Sequence, residues 1–321
     1  MKLLIEVPAS VCLPAQGSWP AAVHQFDAQS WWAIKAALAA QRPLLVRGEP
    51  GTGKSQMARA AAAALGRAFI SEVVHARSES QDLQWRFDAV ARLADAQAIG
   101  AARDMEAWEV RLQPQNYLSP GPLWWAFDWT GAVAQAERNK SGLRPLIPEA
   151  WSPERGCVLL IDEIDKAEAD LPNGLLETLG NGGFAVPWLE KAVGHDPAQA
   201  TPLVIITTNE ERELPAAFVR RCLVLNLALP KDEGAFTDCM LERGELHFGE
   251  KCSHEVRREA ARQLWADRRQ ALEAALSPPG QAEYLDMLRV LVALADTPEA
   301  QLQVLKHIAG FALKKHVGLN G

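Results

Sequence analysis

The stretch that decides the fold is Gly48-Glu49-Pro50-Gly51-Thr52-Gly53-Lys54-Ser55, which matches the pattern G-x-x-x-x-G-K-[ST] at every constrained position. Glycines let a backbone wrap around a polyphosphate, so that successive N–H groups point inward, and the helix that follows adds the positive end of its dipole. In this pattern Lys54 neutralises the β- and γ-phosphates, and the Ser55 hydroxyl completes a Mg²⁺ site. Residues 48–55, hereafter the phosphate loop, therefore predict a site for ATP and Mg²⁺.

A strand and a helix flank this loop in the order that the pattern requires. Residues 43–47 form a short apolar run that is typical of a buried parallel strand. Residues 56–65 form an alanine-rich run with no helix breaker before Gly66. This context favours a phosphate site over a glycine-rich turn without a ligand.

Composition sets the outer limits. The 321 residues suffice for one large α/β domain and a smaller partner, and an apolar content of 48% supports a substantial core. A net charge of −7 makes nucleic acid an unlikely partner. No apolar run is long enough for a membrane, the first residues do not resemble a signal peptide, and the five cysteines form no CxxC pair. We expect a cytoplasmic protein without a membrane partner.

A second group of chemical residues follows the apolar run at 157–161. Asp162 and Glu163 come directly after it, where a parallel sheet places its ligands. Asp162 would hold Mg²⁺, and Glu163 would accept a proton from the attacking water. The alternative is that these acids only cap the next helix.

Two further features follow in the chain. Asn209 ends the apolar run at 202–208 and could bind the γ-phosphate or orient water, although Asx turns at strand ends are common. Arg220 and Arg221 end a short helix just before another strand. We interpret this arginine pair as an arginine finger rather than as solvated surface charge.

The motifs GEPGTGKS, LLIDEID, TTNEERELP and FVRRC together resemble those of the AAA+ ATPases, specifically the MoxR branch, over roughly residues 30–295. The resemblance implies an α/β fold: a P-loop AAA+ core with a parallel sheet and helices on both faces, plus a small C-terminal helical lid domain. It makes the phosphate loop Walker A, Asp162 and Glu163 Walker B, and Asn209 sensor 1. Arg221, with Arg220 beside it, resembles the finger that reaches into the neighbouring subunit's site.

Family members usually form hexameric rings of identical subunits that remodel other proteins, often with von Willebrand factor A-type partners. Two departures from the family pattern stand out. Residues 84–118 form a longer insert, for which the spacing of Phe87, Val90 and Leu93 predicts helix from Trp85 onward. Ala282 stands near the position where a sensor 2 arginine is expected, and Arg289 is an alternative one or two turns later.

The domain boundaries follow from the same pattern. Residues 1–230 are expected to form the nucleotide-binding domain and residues 231–321 the lid. Four helical segments are predicted for the lid, at 236–241, 255–276, 284–295 and 299–315. The aromatic cluster at 120–127, together with Trp31 and Trp32, is expected to pack in the core.

Three functions remain open. A ring ATPase that remodels a protein is favoured. An ATP-gated switch in a signalling or defence assembly is a second possibility, which the absence of a sensor 2 arginine at Ala282 favours and Glu163 disfavours. A DNA-acting AAA+ motor is less favoured, because neither a basic tail nor a DNA-binding helix pair is evident.

Overall fold

The computed structural model describes residues 6–8, 10–102, 110–140, 144–190 and 192–312. The sequence also suggests an edge strand at 3–7, which lies partly outside these residues, as does the end of the helix predicted at 299–315. Trp108, a further aromatic residue of the insert, lies outside them entirely. In what is described, no helix combines the length and apolar character that crossing a bilayer would require.

Eleven strands occur in the described part of the chain. They are β1 (Val11–Leu13), β2 (Ala22–His24), β3 (Leu44–Gly48), β4 (Ala68–Val73), β5 (Trp85–Phe87), β6 (Leu118–Pro120), β7 (Cys157–Asp162), β8 (Gly183–Phe184), β9 (Val193–Gly194), β10 (Leu203–Thr208) and β11 (Leu223–Leu227).

Twelve α-helices occur in the same residues. They are α1 (Ala28–Ala40), α2 (Lys54–Leu65), α3 (Ser80–Gln84), α4 (Ala89–Ala102), α5 (Pro122–Phe127), α6 (Trp129–Arg138), α7 (Asp170–Asn181), α8 (Ala216–Arg221), α9 (Glu233–Phe248), α10 (His254–Glu273), α11 (Gln281–Leu294) and α12 (Pro298–Ala312).

The central element is a five-stranded parallel sheet with the strand order β11-β3-β10-β7-β4. Strands β7 and β10 are almost entirely apolar and buried, as expected where helices cover both faces of a parallel sheet. Their register pairs Ile161 with Ile206. Because the strands run parallel, the next residues of both, Asp162 and Thr207, reach the same edge of the sheet. The predicted P-loop α/β core with a helical C-terminal region is confirmed.

The chain divides into two compact units. The first contains His24–Arg47 and Ser55–Leu225, and thus most of the sheet. The second contains Pro20–Val23, Gly48–Lys54 and the chain from Asn226 onward. Helices α9 to α12 of this second unit pack around their own apolar core, in which Tyr284 and Phe236 are fully buried. The first seven residues of the phosphate loop therefore group with these helices, whereas Ser55 groups with the sheet.

The insert at 84–118 differs from its prediction. Residues 85–87 form β5, which pairs antiparallel with β6, so the helical period assigned from Trp85 onward is wrong. Helix α4 begins only at Ala89, and its residues Val90 and Leu93 are 79% and 60% exposed. Tertiary packing explains the strand, because Trp85 is buried in the main core and its ring contacts Trp188.

Aromatic side chains elsewhere follow the predictions in part. Helix α5, which carries most of the aromatic cluster, is fully buried, as predicted. Trp31 is buried, but Trp32 is 58% exposed, so the prediction that both pack in the core is wrong for Trp32. The two residues are adjacent on α1 and point in different directions, and the Lys35 ammonium lies 4.4 Å from the Trp32 ring centre.

Candidate active site

The phosphate loop has the backbone that its glycines allow. Gly48, Gly51 and Gly53 have positive φ angles of 153°, 77° and 90°. A Cβ at Gly48 would lie 2.3 Å from the Leu227 carbonyl oxygen, so no side chain fits there. The Lys54 ammonium is buried and donates to the carbonyl oxygens of Gly48 and Glu49, both at 2.8 Å. A glycine-lined concave backbone with a buried ammonium at its end fits a polyphosphate.

A polar network lies at the carboxyl ends of β7 and β10. The Ser55 hydroxyl donates to Asp162 Oδ1 at 2.9 Å, and the Thr207 hydroxyl donates to the same oxygen. Thr207 Oγ1 also accepts the backbone N–H of Glu163 at 2.9 Å. Hydroxyl and carboxylate oxygens are ligands that Mg²⁺ prefers, so Ser55 and Asp162 fit this cation.

Glu163 occupies an uncommon backbone conformation beside this network. Its φ and ψ angles are 58° and 48°, in the left-handed region that residues with a Cβ seldom adopt. Its carboxylate accepts from Asn209 Nδ2 at 3.3 Å and from the Lys166 ammonium at 2.5 Å. This hydrogen bond to Glu163 is the main reason that the pKa of Lys166 is raised above its usual value. The structure thus brings Ser55, Asp162, Glu163 and Asn209 together.

Asp165 fixes the loop that carries Asn209. Its side chain is buried, and Oδ2 accepts the backbone N–H groups of Asn209 at 3.2 Å and Glu211 at 2.9 Å. Asp165 and Thr207 are not among the site residues predicted from the sequence. Asp165 could have been found from the sequence, because it follows Asp162 and Glu163 in the acidic pattern Asp-Glu-x-Asp. Thr207 could not, because only the register of β10 against β7 places it beside Asp162.

The arginine pair lies apart from this network, at the C-terminus of α8. Both residues are exposed. The Arg221 guanidinium donates to the Leu176 carbonyl on α7 at 2.8 Å. The backbone of the pair is held by Arg42, which donates to the carbonyls of Arg221 at 3.0 Å and Cys222 at 3.3 Å and also to that of Arg220.

Within the helical unit, Ala282 lies at the phosphate loop. A Cβ built on Gly51 would come within 2.9 Å of the Ala282 Cβ. Arg289 is ion-paired to Asp286, and its side chain is 65% exposed. Ala282, near which a sensor 2 arginine was expected, therefore places only a methyl group against the phosphate loop.

A glycine loop and a polar sheet edge on a parallel α/β sheet define a P-loop nucleotide-binding protein. The model of one family, the AAA domain of the dynein-related subfamily, matches residues 43–222. The matched segment is more than half of the chain, and the chain belongs to this family of AAA+ ATPases.

Two solved structures are similar to this chain at low sequence identity. A candidate ATPase from Cytophaga hutchinsonii ATCC 33406 is 14% identical over 89% of this chain and 81% of its own, with a TM-score of 0.38. The T158V variant of Thermotoga maritima RuvB is 14% identical over 87% of this chain and 67% of its own, with a TM-score of 0.44. No curated protein matches the chain.

Proposed function

We propose that the protein is a MoxR-type AAA+ ATPase that binds ATP with Mg²⁺ and hydrolyses it at the interfaces of a ring of identical subunits. The observation that carries this proposal is the polar network of Ser55, Asp162, Glu163 and Asn209 at one edge of the sheet. The ring would remodel a protein substrate or act together with a von Willebrand factor A-type partner. Residues 1–230 would form the nucleotide-binding domain and residues 231–321 the lid.

Each residue of the network has a separate task in this proposal. The phosphate loop binds the polyphosphate, with Lys54 as its cation, and Ser55 and Asp162 hold Mg²⁺, which would neutralise phosphate charge. Glu163 accepts the proton of the attacking water, and Asn209 orients that water. Asp165 supports this arrangement, because it fixes the backbone of Asn209.

The arginine pair completes the site from the next subunit. Arg221 is exposed at the end of α8, and Arg42 immobilises the backbone beneath it. A guanidinium presented on a fixed backbone is suited to stabilise the charge that develops on a transferred phosphoryl group. Arg220, its exposed neighbour, would assist from the same surface.

A second function, an ATP-gated switch with slow turnover, is favoured by the contact between Lys166 and Glu163. An ammonium 2.5 Å from the proposed base competes with water for its carboxylate. In such a switch the bound ATP, rather than its hydrolysis, would set the state of the assembly.

Two substitutions test the proposed function. Lys54→Ala should abolish ATP binding, because the phosphates lose their cation. Glu163→Gln should bind ATP normally and hydrolyse it roughly 10²–10⁴-fold more slowly. Fluorescent-nucleotide titration and phosphate release measure the two effects, and negative-stain images with and without ATP show whether rings form.

Glu168→Gln is a matched control, since this exposed glutamate pairs only with Arg212 among the contacts described. It should leave both measurements unchanged. Equal loss of ATP affinity in Lys54→Ala and Glu163→Gln would refute the division of roles.

A further inference from the structure

The phosphate loop contains an acidic residue, Glu49, as its second position. A carboxylate in a loop that binds a polyphosphate is electrostatically unfavourable, because like charges at short range repel. Glu49 Oε1 and Oε2 lie 2.7 and 2.6 Å from one guanidinium nitrogen of Arg268 on α10. Both residues belong to the helical unit.

The Arg268 side chain is buried and is held in place by several contacts. Its side chain is only 8% exposed, and its other terminal nitrogen donates to the Pro279 carbonyl at 3.1 Å. The guanidinium lies 6.0 Å from the Phe236 ring centre. A buried arginine of this kind requires a counter-charge, and the phosphate loop supplies it.

The contact continues along the loop. A Cβ on Gly280 would be 3.5 Å from the Pro50 carbonyl oxygen, and the Ala282 methyl group lies against Gly51. Gly280 N donates to Glu283 at 2.9 Å, which fixes the start of α11. Helices α10 and α11 therefore meet the first half of the phosphate loop at one ion pair and at a tight approach of Ala282 to Gly51.

We propose that Arg268 is a positioning residue for nucleotide binding, which neutralises Glu49 and fixes the loop to the helical unit whichever nucleotide is present. The proposal rests on the proposed ATP-binding function. Because Arg268 acts on the loop itself, its effect on nucleotide affinity should not depend on the γ-phosphate. Ala282, at the expected sensor 2 position, has no charge to offer the nucleotide. Arg268 instead connects the helices to the phosphate loop through Glu49.

The test is a double-mutant cycle read by equilibrium binding of fluorescent ADP and of a non-hydrolysable fluorescent ATP analogue. Arg268→Gln should weaken both about tenfold and equally, because it leaves the Glu49 carboxylate uncompensated beside the phosphates. Glu49→Gln/Arg268→Gln should bind more tightly than Arg268→Gln, because it leaves no uncompensated carboxylate, and Glu49→Gln completes the cycle. Arg269→Gln, which removes an exposed arginine of the same helix, is the matched control and should change neither affinity.

Three results would overturn the proposal. Unchanged affinity in Arg268→Gln would remove the role of Arg268 in binding. A loss confined to the ATP analogue would mean that Arg268 acts on the γ-phosphate. A double variant as weak as Arg268→Gln would assign the loss to the Pro279 contact.

Folding is checked by thermal unfolding without nucleotide. Should Arg268→Gln not fold, Arg268→Met and its combination with Glu49→Gln, which also remove the charge, are judged by the same criteria. A wild type that binds neither nucleotide would refute the proposed function, whereas normal wild-type binding with an unaltered Arg268→Gln would refute this inference alone.

Discussion

The polar network at the sheet edge and the arginine pair on α8 are built in opposite ways. In the network, the described contacts join side chains of the same chain: Asp162 accepts from Ser55 and Thr207, and Glu163 accepts from Asn209. In the arginine pair, contacts within the chain hold the backbone, the Arg221 guanidinium donates to the Leu176 carbonyl, and both side chains are exposed. Folding of one chain therefore assembles the first region, whereas the role that we propose for the second requires a neighbouring subunit.

The largest expected effect is on ATP hydrolysis, and it tests whether the arginine pair acts on the polar network of a neighbouring subunit. Arg221→Ala should bind ATP normally and hydrolyse it roughly 10³-fold more slowly, as expected for an arginine acting in trans. Mixing Arg221→Ala with Glu163→Gln should restore part of the turnover, because some interfaces then combine an intact base with an intact arginine. Phosphate release from the separate and mixed variants measures this effect.

Arg212→Ala is the control for Arg221→Ala, since Arg212 is an exposed arginine paired with Glu168. Wild-type activity per subunit should also fall on dilution. Constant specific activity down to a demonstrated monomer would remove the shared site and, with it, the ring.

A smaller effect is expected within the network. Thr207→Val keeps the shape of the side chain but removes the hydroxyl that orients Asp162. The Mg²⁺ concentration needed for half-maximal hydrolysis should rise about 10- to 100-fold, as for other residues that support a metal ligand. Thr208→Val, a substitution of the neighbouring buried threonine that does not contact Asp162 in the described hydrogen bonds, is the comparison. Equal Mg²⁺ requirements in the two variants would show that the Thr207 hydroxyl is dispensable.

The smallest effect concerns the ion pair on Glu163. Lys166→Met should raise basal ATP hydrolysis severalfold, since the carboxylate is released for water, with little change in ATP affinity. Lys231→Met, at an exposed lysine, serves as the control. A fall in turnover in Lys166→Met would show instead that the ammonium supports catalysis, and it would weaken the switch hypothesis.

The sequence predicts the location of those site residues whose place in the fold follows from their order along the chain. The phosphate loop follows a recognisable pattern, and residues after buried parallel strands meet at one edge, which is why Asp162, Glu163 and Asn209 could be placed together. Thr207 was not found, because a threonine inside an apolar strand has no distinctive spacing. The pair of Glu49 and Arg268 spans 219 positions, and no local pattern records a contact of that length.

The insert shows a different limit. Three residues, Trp85 to Phe87, fit a helical period and a strand equally well, and packing against Trp188 decides between them. The deletion of residues 84–118 would remove Trp85 and Leu118 from the main core. A surface role of the insert would therefore be tested by replacing the exposed Val90 and Leu93, which are not part of this core.

The left-handed backbone at Glu163 has an evolutionary consequence. That conformation costs a residue with a Cβ about 1–2 kcal/mol, and glycine or asparagine adopts it more readily. Glu163→Gly and Glu163→Asn should therefore relieve local strain while removing the proposed base. Selection for stability alone would favour the loss of this glutamate, and its retention in a lineage would indicate that hydrolysis is under selection.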